Sequence, residues 1–310
     1  MRSMSSAENT TLFIKANACT KAQQLKETLE LKELPDDLLH DNLFWLDCIT
    51  PKKTDLNCLA ICSLQQGPVF IDFLAGKKAH RRQFGGGMGQ PLVRAMGKID
   101  NRLPRIVDAT AGMGSDSFVL ASLGFDVTLL ERSPYVSALL ADALQRALET
   151  AGLDSQTLAI FQRMHLHNTD SADFIANCPD KIEVVYMDPM YPEKKKKAAA
   201  KKEMQLLQHI IGPDMDSERL LNEALKKASY RVVVKRPKGA PVIANQFNIA
   251  PTSAVSSPNT RYDIYSIDAL KQKLSICNKR QAIKSFNLAC LHSRSIIVSI
   301  NNLDKHPYWK

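Results

Sequence analysis

From about residue 105 to 266, short β-branched runs alternate with longer stretches of helical periodicity, the pattern of βαβ units laid on a parallel sheet. Six strands are expected: Ile106-Val107 leading into Asp108, Val127–Leu130 leading into Glu131, Ile160-Phe161 heading toward Asp170, then Val184–Met187, Val232–Val234 and Tyr262–Tyr265. Most of these runs are apolar throughout, as strands covered on both faces should be. Pro134 can open a helix whose Val136, Leu139, Leu140, Ala143, Leu144, Ala147 and Leu148 share one face, with Gly152 to close it. A second helix is expected over Met204–Ile211, stopped by Gly212-Pro213, and a third from a capping Ser217 through Leu225.

The first hundred residues have another texture. Leu59–Cys62 and Val69–Phe73 flank Gln65-Gln66-Gly67-Pro68, which predicts a β-hairpin, and Leu25–Leu39 is helical in pattern. The chain therefore divides into an α+β region over 1–100, an α/β domain over 101–266 and a C-terminal extension over 267–310, where lysines and arginines mix with polar residues.

Composition narrows the class. With 45% hydrophobic and 24% charged residues among 310, the chain reads as soluble and globular. No apolar stretch approaches the roughly 18 residues that span a bilayer, and the N-terminus lacks the apolar block of a secretory signal, so a cytoplasmic protein is expected. The seven cysteines contain no C-x-x-C pair and have no complementary His pair, which predicts reduced, mostly buried thiols and no metal. A formal charge of +9 favours a polyanionic partner. No motif points to an obligate protein partner.

Candidate chemistry concentrates where strands end. Asp188-Pro189-Met190-Tyr191-Pro192 follows Val184–Met187 directly, and Pro189 stops the hydrogen-bonding ladder at once. A carboxylate and an aromatic ring at the carboxyl edge of an open α/β sheet suit a planar, amine-bearing substrate such as a nucleobase. The loop Asp108–Asp116 follows the first strand, and Gly112 and Gly114 permit close approach of backbone and ligand. Ser117 stands where a dinucleotide fingerprint would have its third glycine, and Asp108 and Asp116 add negative charge where a pyrophosphate needs the opposite. A nicotinamide cofactor is thereby disfavoured, whereas a sulfonium with an amino-acid tail is tolerated. Glu131, some twenty residues further on, is placed to accept ribose hydroxyls, and Asp170 or its neighbour Thr169 to receive an adenine amine. Any one of these carboxylates could be a loop cap; four on successive strand ends argue for a site.

Basic residues crowd the same rim. Lys194, Lys195, Lys196, Lys197 and Lys201 follow the acceptor motif, Arg81 and Arg82 precede Gly85-Gly86-Gly87, and Lys235 and Arg236 follow the fifth strand. A lysine run is commonly a solvated face. Three clusters converging on one edge read instead as a phosphate track.

Asp108–Asp116, Glu131-Arg132 and Asp188–Pro192 resemble the S-adenosylmethionine site of class I methyltransferases, the last being a variant of the D/N-P-P-Y/F signature of amino-nitrogen methylation. More closely, Asp72-Phe73, Ala79–Gly87, Asp188–Pro192, Lys201–Met204, Gly212–Asp214 and Val232–Pro237 resemble the J-type small-subunit ribosomal RNA guanine-N2 methyltransferases, over roughly residues 55–266. The resemblance implies a Rossmann-like sheet flanked by helices, S-adenosyl-L-methionine as cofactor, and N2 of a specific guanosine in 16S ribosomal RNA as acceptor, presented as RNA or as the small subunit. It also implies cofactor contacts at Ser115, Asp116, Glu131, Arg132, Thr169, Asp170 and Asp188, with Ser115 replacing a more typical arginine. Asp188 and the Pro189 carbonyl are then the candidate acceptors for the amine, and Tyr191 the stacking surface for an extruded base. The acceptor motif by itself also admits amino-methylation of DNA adenine or cytosine, and the fold also admits a non-catalytic RNA-binding assembly factor.

Overall fold

The computed structural model describes residues 12–34, 43–52, 56–65, 67–74, 87–190 and 216–272. The N-terminal region forms a five-stranded sheet from β1 (Leu12–Ile14), β2 (Lys32–Glu33), β3 (Phe44–Ile49), β4 (Cys58–Ser63) and β5 (Val69–Phe70), in the order β2-β1-β3-β4-β5. β4 and β5 make the expected antiparallel hairpin, and β1 runs parallel to both its neighbours. Period-2 alternation sends the side chains of β4 to opposite faces: Leu59 and Ile61 enter the main core, while Ala60 and Cys62 join Leu34, Leu43 and Trp45 in a second, smaller cluster.

Two N-terminal expectations fail. The helix foreseen over Leu25–Leu39 does not form: α1 is confined to Thr20–Gln24, residues 25–30 turn, Glu30 adopts φ 52°, and Lys32–Glu33 pairs with β1. Reversing the chain there buries Leu29 and Leu31 against the core, which outweighs local helical periodicity; residues 35–39 lie outside the described residues. The thiols are not all reduced either. Cys19, ahead of α1, and Cys48, on β3, come to a Cα separation of 5.7 Å and form a disulfide, whereas Cys58, Cys62 and Cys178 are free.

The central segment builds a seven-stranded sheet of β6 (Ile106–Asp108), β7 (Val127–Glu131), β8 (Met164–Asn168), β9 (Ile182–Met187), β10 (Ala228–Pro237), β11 (Ser253–Ser256) and β12 (Thr260–Ser266), ordered β11-β12-β10-β9-β6-β7-β8. Strands β10, β9, β6, β7 and β8 pair in parallel, and β11 with β12 antiparallel. Among the described residues its helices are α2 (Pro91–Met96), α3 (Ser115–Ser122), α4 (Pro134–Glu149), α5 (Ser155–Gln162), α6 (Ser171–Asn177) and α7 (Ser217–Lys227). Ile160-Phe161, expected to begin the third strand, are instead the last turn of α5. Asp154 caps that helix by accepting the Thr157 amide at 2.8 Å, and Phe161 packs its ring 5.9 Å from Phe118 and 6.1 Å from Phe73. The strand follows as β8, an edge whose His165 and His167 face outward. Ser217 is the first residue of α7 rather than its cap; Asp216 holds the cap position, and its carboxylate accepts from Arg132 at 3.0 Å. The helix foreseen over Met204–Ile211 lies outside the described residues.

The chain gathers into a unit over Met1–Tyr265 and a second over Ser266–Lys310. Within the first, the two sheets share a core around α4, whose Leu139, Leu140, Ala143 and Ala147 are almost fully enclosed. The same helix carries a buried polar clamp. Asp142 accepts from Lys21, from the Leu59 amide at 3.1 Å and from Arg146 Nε at 2.8 Å, while Arg146 Nη2 donates to the Ile71 carbonyl. Among the described residues no helix is long and apolar enough to cross a membrane, and no cluster of His, Cys, Asp and Glu is arranged to hold a metal.

Candidate active site

Strand order reverses at β6: the chain goes on to β7 and β8 on one side and to β9 and β10 on the other. Loops leaving β6 and β9 therefore part in opposite directions and open a crevice at the carboxyl edge. The last residue of β6 is Asp108 and the residue after β9 is Asp188, and both reach this crevice because the register pairs Asp108 with Tyr186.

On the β6–β7 side, the glycine loop turns through left-handed conformations at Gly112 (φ 51°) and Gly114 (φ 66°) and enters α3 at Ser115. The two glycines differ in what surrounds them. A Cβ on Gly114 would meet Leu140 Cδ1 at 2.9 Å and Phe73 Cζ at 3.1 Å, so that glycine lets the loop press onto the core; at Gly112 the nearest atom would be the Thr110 carbonyl oxygen at 3.9 Å, leaving a bare backbone surface. Glu131, buried at the end of β7, latches the loop: one carboxylate oxygen accepts the Gly112 amide at 2.9 Å and the other the Ser133 amide at 2.7 Å. Its own carbonyl accepts the Thr169 amide at 3.1 Å and Asn168 Nδ2 at 2.8 Å, which ties the end of β8 to the same corner. Asp170 caps α6 through the Asp173 amide at 2.9 Å and pairs with Arg219 at 3.2 Å, so the loop-cap alternative is realised at this position together with its place on the rim.

On the β9–β10 side, the parallel register sets Val234 beside Met187, so the next residues, Lys235 and Asp188, come alongside. Lys235 Nζ lies 2.8 Å from Asp188 Oδ2 and 2.8 Å from Asp116 Oδ2. The same Asp116 oxygen accepts the Tyr186 hydroxyl at 2.6 Å, and Thr110 Oγ1 accepts the Asp188 amide at 2.6 Å. Lys235 and Arg236 thus depart from the phosphate track expected for them: Lys235 is turned inward onto two carboxylates, and Arg236 is buried, donating Nε and Nη2 to the Pro241 carbonyl at 3.2 and 3.0 Å. Arg81, Arg82, Tyr191, Lys194, Lys195, Lys196, Lys197 and Lys201 lie outside the described residues.

Electrostatics follow from this crowding. Burial pushes the Asp108 carboxyl up to about 7, against the Ser117 hydroxyl and the Thr110 amide that donate to it, and Asp116 and Asp188 push it further the same way. Enclosure also raises Asp188, with Lys235 pulling in the opposite direction, although 41% of the Asp188 side chain stays open to an incoming group. Burial draws the Lys235 ammonium down, but Asp116 and Asp188 outweigh it and hold the group firmly charged. Tyr186 is raised well above the ordinary phenol range by burial and by the neighbouring carboxylates.

Two carboxylates on one lysine, with the buried Asp108 carboxyl beside them, leave a crevice short of positive charge next to a bare glycine backbone. That donor set suits a ligand bearing a sulfonium and an ammonium and disfavours a pyrophosphate. The sequence marked the acidic residues and the glycines. It did not mark Thr110, Ser117, Tyr186 and Lys235 as the groups that hold those acids; the available signal was a polar atom at a strand tip or one turn into α3, and only the register supplies its partner.

A doubly wound sheet of this order, with a glycine loop after β6 and acidic strand tips, defines a class I S-adenosyl-L-methionine-dependent methyltransferase, and the family profile for SAM-dependent methyltransferases matches residues 39–267. A solved SAM-dependent methyltransferase from Neisseria gonorrhoeae superposes with a TM-score of 0.59 at 29% identity, covering 83% of this chain and 96% of that one. Two proteins named ribosomal RNA small subunit methyltransferase J are similar over most of their length. The one from Hydrogenovibrio crunogenus is 56% identical over 213 residues, 69% of this chain and 75% of that protein; the one from Saccharophagus degradans is 43% identical over 251 residues, 78% and 86%. The chain belongs to the ribosomal RNA small subunit methyltransferase J family, and its cofactor is S-adenosyl-L-methionine.

Proposed function

We propose that this chain transfers a methyl group from S-adenosyl-L-methionine to N2 of a specific guanosine in 16S ribosomal RNA, acting in the cytoplasm on the RNA or on the small subunit. The observation that carries this reading is Asp188: an open carboxylate fixed at the end of β9, next to the glycine loop, in a chain whose relatives bear the name of a small-subunit rRNA methyltransferase.

The cofactor, when bound, supplies an electrophilic methyl on a positively charged sulfur. The residues suited to hold it are Gly112 and Gly114 by close backbone approach, Ser115 and Asp116 at the start of α3, Glu131 and Arg132 after β7, Thr169 and Asp170 after β8, and Asp108 beneath them. A guanine amine is a poor nucleophile because its lone pair is delocalised into the ring. The Asp188 carboxylate and the Pro189 carbonyl, as hydrogen-bond acceptors, favour a more tetrahedral nitrogen and free that lone pair, and Tyr191 offers the base a stacking surface. A carboxylate raised above its ordinary range is also the better acceptor for the proton the amine sheds. Holding amine and methyl in line supplies much of the remaining acceleration.

The test is mass spectrometry of nucleosides from a deletion strain, complemented with wild type or with Asp188→Ala. Loss of N2-methylguanosine from 16S RNA, restored by wild type and not by Asp188→Ala, is the expected result. Loss of a methylated adenine or cytosine from DNA, or unchanged RNA together with no cofactor binding by calorimetry, overturns it in favour of a DNA methyltransferase or an assembly factor.

A further inference from the structure

We propose that Lys235 is a positioning residue of the methyl transfer: by sharing its ammonium between Asp116 and Asp188, it holds the Asp188 carboxylate ionised and oriented toward the amine of the bound guanosine. This rests on the role proposed above for Asp188.

Lys235 sits near the end of β10 on the rim, where a basic residue would ordinarily serve a phosphate. Its side chain is three-quarters covered, and its Nζ is equidistant, at 2.8 Å, from one oxygen of each carboxylate. The contact is built from both sides. Tyr186 donates to the same Asp116 oxygen, which fixes the far partner, and Thr110 accepts the Asp188 amide, which fixes the backbone of the near one. The groups facing Asp188 are Asp108 from β6, Asp116 from α3, Tyr186 from β9, and Lys235 and Arg236 from β10. Lys235 makes the direct ion pair with the Asp188 carboxylate, at 2.8 Å, while Arg236, which donates to the Pro241 carbonyl, adds a smaller pull in the same direction. Without it, burial and the neighbouring Asp116 carboxylate favour the protonated form, with only the smaller pull of the Arg236 charge named against them. A protonated carboxyl donates where the amine needs an acceptor, and its oxygen loses the anchor that fixes its direction.

The experiment uses the full chain with Asp-specific 13C labelling at the carboxyl carbon, the Asp188 signal being assigned with Asp188→Asn. Its titration is followed in wild type, Lys235→Met, Lys235→Gln and Lys235→Arg, with kcat and KM for RNA measured across pH on the same proteins. The Asp188 midpoint should rise by about one unit or more in the Met and Gln variants and return toward wild type in Lys235→Arg, with the acid limb of kcat moving by the same amount and KM for RNA changing less than about twofold. The Gln variant keeps hydrogen bonding without charge and serves if the Met variant does not fold. An unmoved Asp188 titration with a salt-sensitive rise in KM would make Lys235 a phosphate contact and overturn the proposal. A loss of kcat uniform across pH, with no shift in the titration, would make it a structural support and overturn it equally. The titration needs no turnover, so a wild-type enzyme that makes no N2-methylguanosine refutes the function proposed above while the coupling of Lys235 to Asp188 is judged separately.

Discussion

Asp108 is the residue at which the site and the stability of the fold meet. Its carboxyl is raised from an ordinary 3.8 to about 7 by burial at the end of β6. The folded state therefore binds that proton more tightly than the unfolded chain. The resulting stability is fully present below about pH 4 and is lost as pH rises through 7, by as much as roughly 4 kcal/mol across the window. Urea unfolding of the cofactor-free protein between pH 5 and 8 should show stability falling over this range, and Asp108→Asn should flatten the decline; equal slopes in the two proteins would remove Asp108 as its source. The sequence displayed this aspartate at a strand tip but not its protonation, because burial depends on Ser117 and on the depth of β6 between β9 and β7. The same limit applied to Lys235. Its one-letter context, a lysine beside an arginine on a basic rim, reads as surface, and only the pairing of Val234 with Met187 brings it against Asp188.

At the scale of elements, α4 joins the two sheets. Its apolar stripe was legible as a 3.6 period, and Val136, Leu139, Leu140, Ala143 and Ala147 are all buried as that stripe requires. Asp142 and Arg146 were not part of it, yet they clamp β4 and the chain after β5 onto the helix. Asp142→Ala should cost about 3–5 kcal/mol, since it strands the Arg146 guanidinium and the Leu59 amide without their acceptor. Arg146→Ala should cost a comparable amount, and the double variant much less than the sum; additive losses in chemical denaturation would show that the two do not act as one unit. The misread third strand has a related cause. Ile160-Phe161 is a β-branched and aromatic pair that favours a strand locally, but Asp154 starts a helix six residues earlier and the Phe73–Phe118–Phe161 cluster takes up the ring.

At the scale of the whole molecule, the alternation of short apolar runs and helical stretches was sufficient for the parallel sheet and its crevice, since right-handed crossovers leave few other arrangements. The polyanionic partner is legible only as charge. Replacing Lys194, Lys195, Lys196 and Lys197 with glutamine should weaken RNA binding and lower the slope of log affinity against log salt by up to about 3, with cofactor affinity unchanged. A slope equal to that of wild type would return the lysine run to solvent.

The reversal of strand order at β6 has one more consequence. On the site proposed above, the loop assigned to the methyl donor leaves β6 and the carboxylate assigned to the acceptor leaves β9, and these strands are hydrogen-bonded neighbours. Neighbouring strands lie about 4.8 Å apart by backbone geometry alone. With the reactants held as proposed, the sheet would act as a ruler between them, cut to a length that no side-chain substitution alters. Loops beyond the rim can then change which nucleic acid is admitted while the reach from sulfur to nitrogen stays the same.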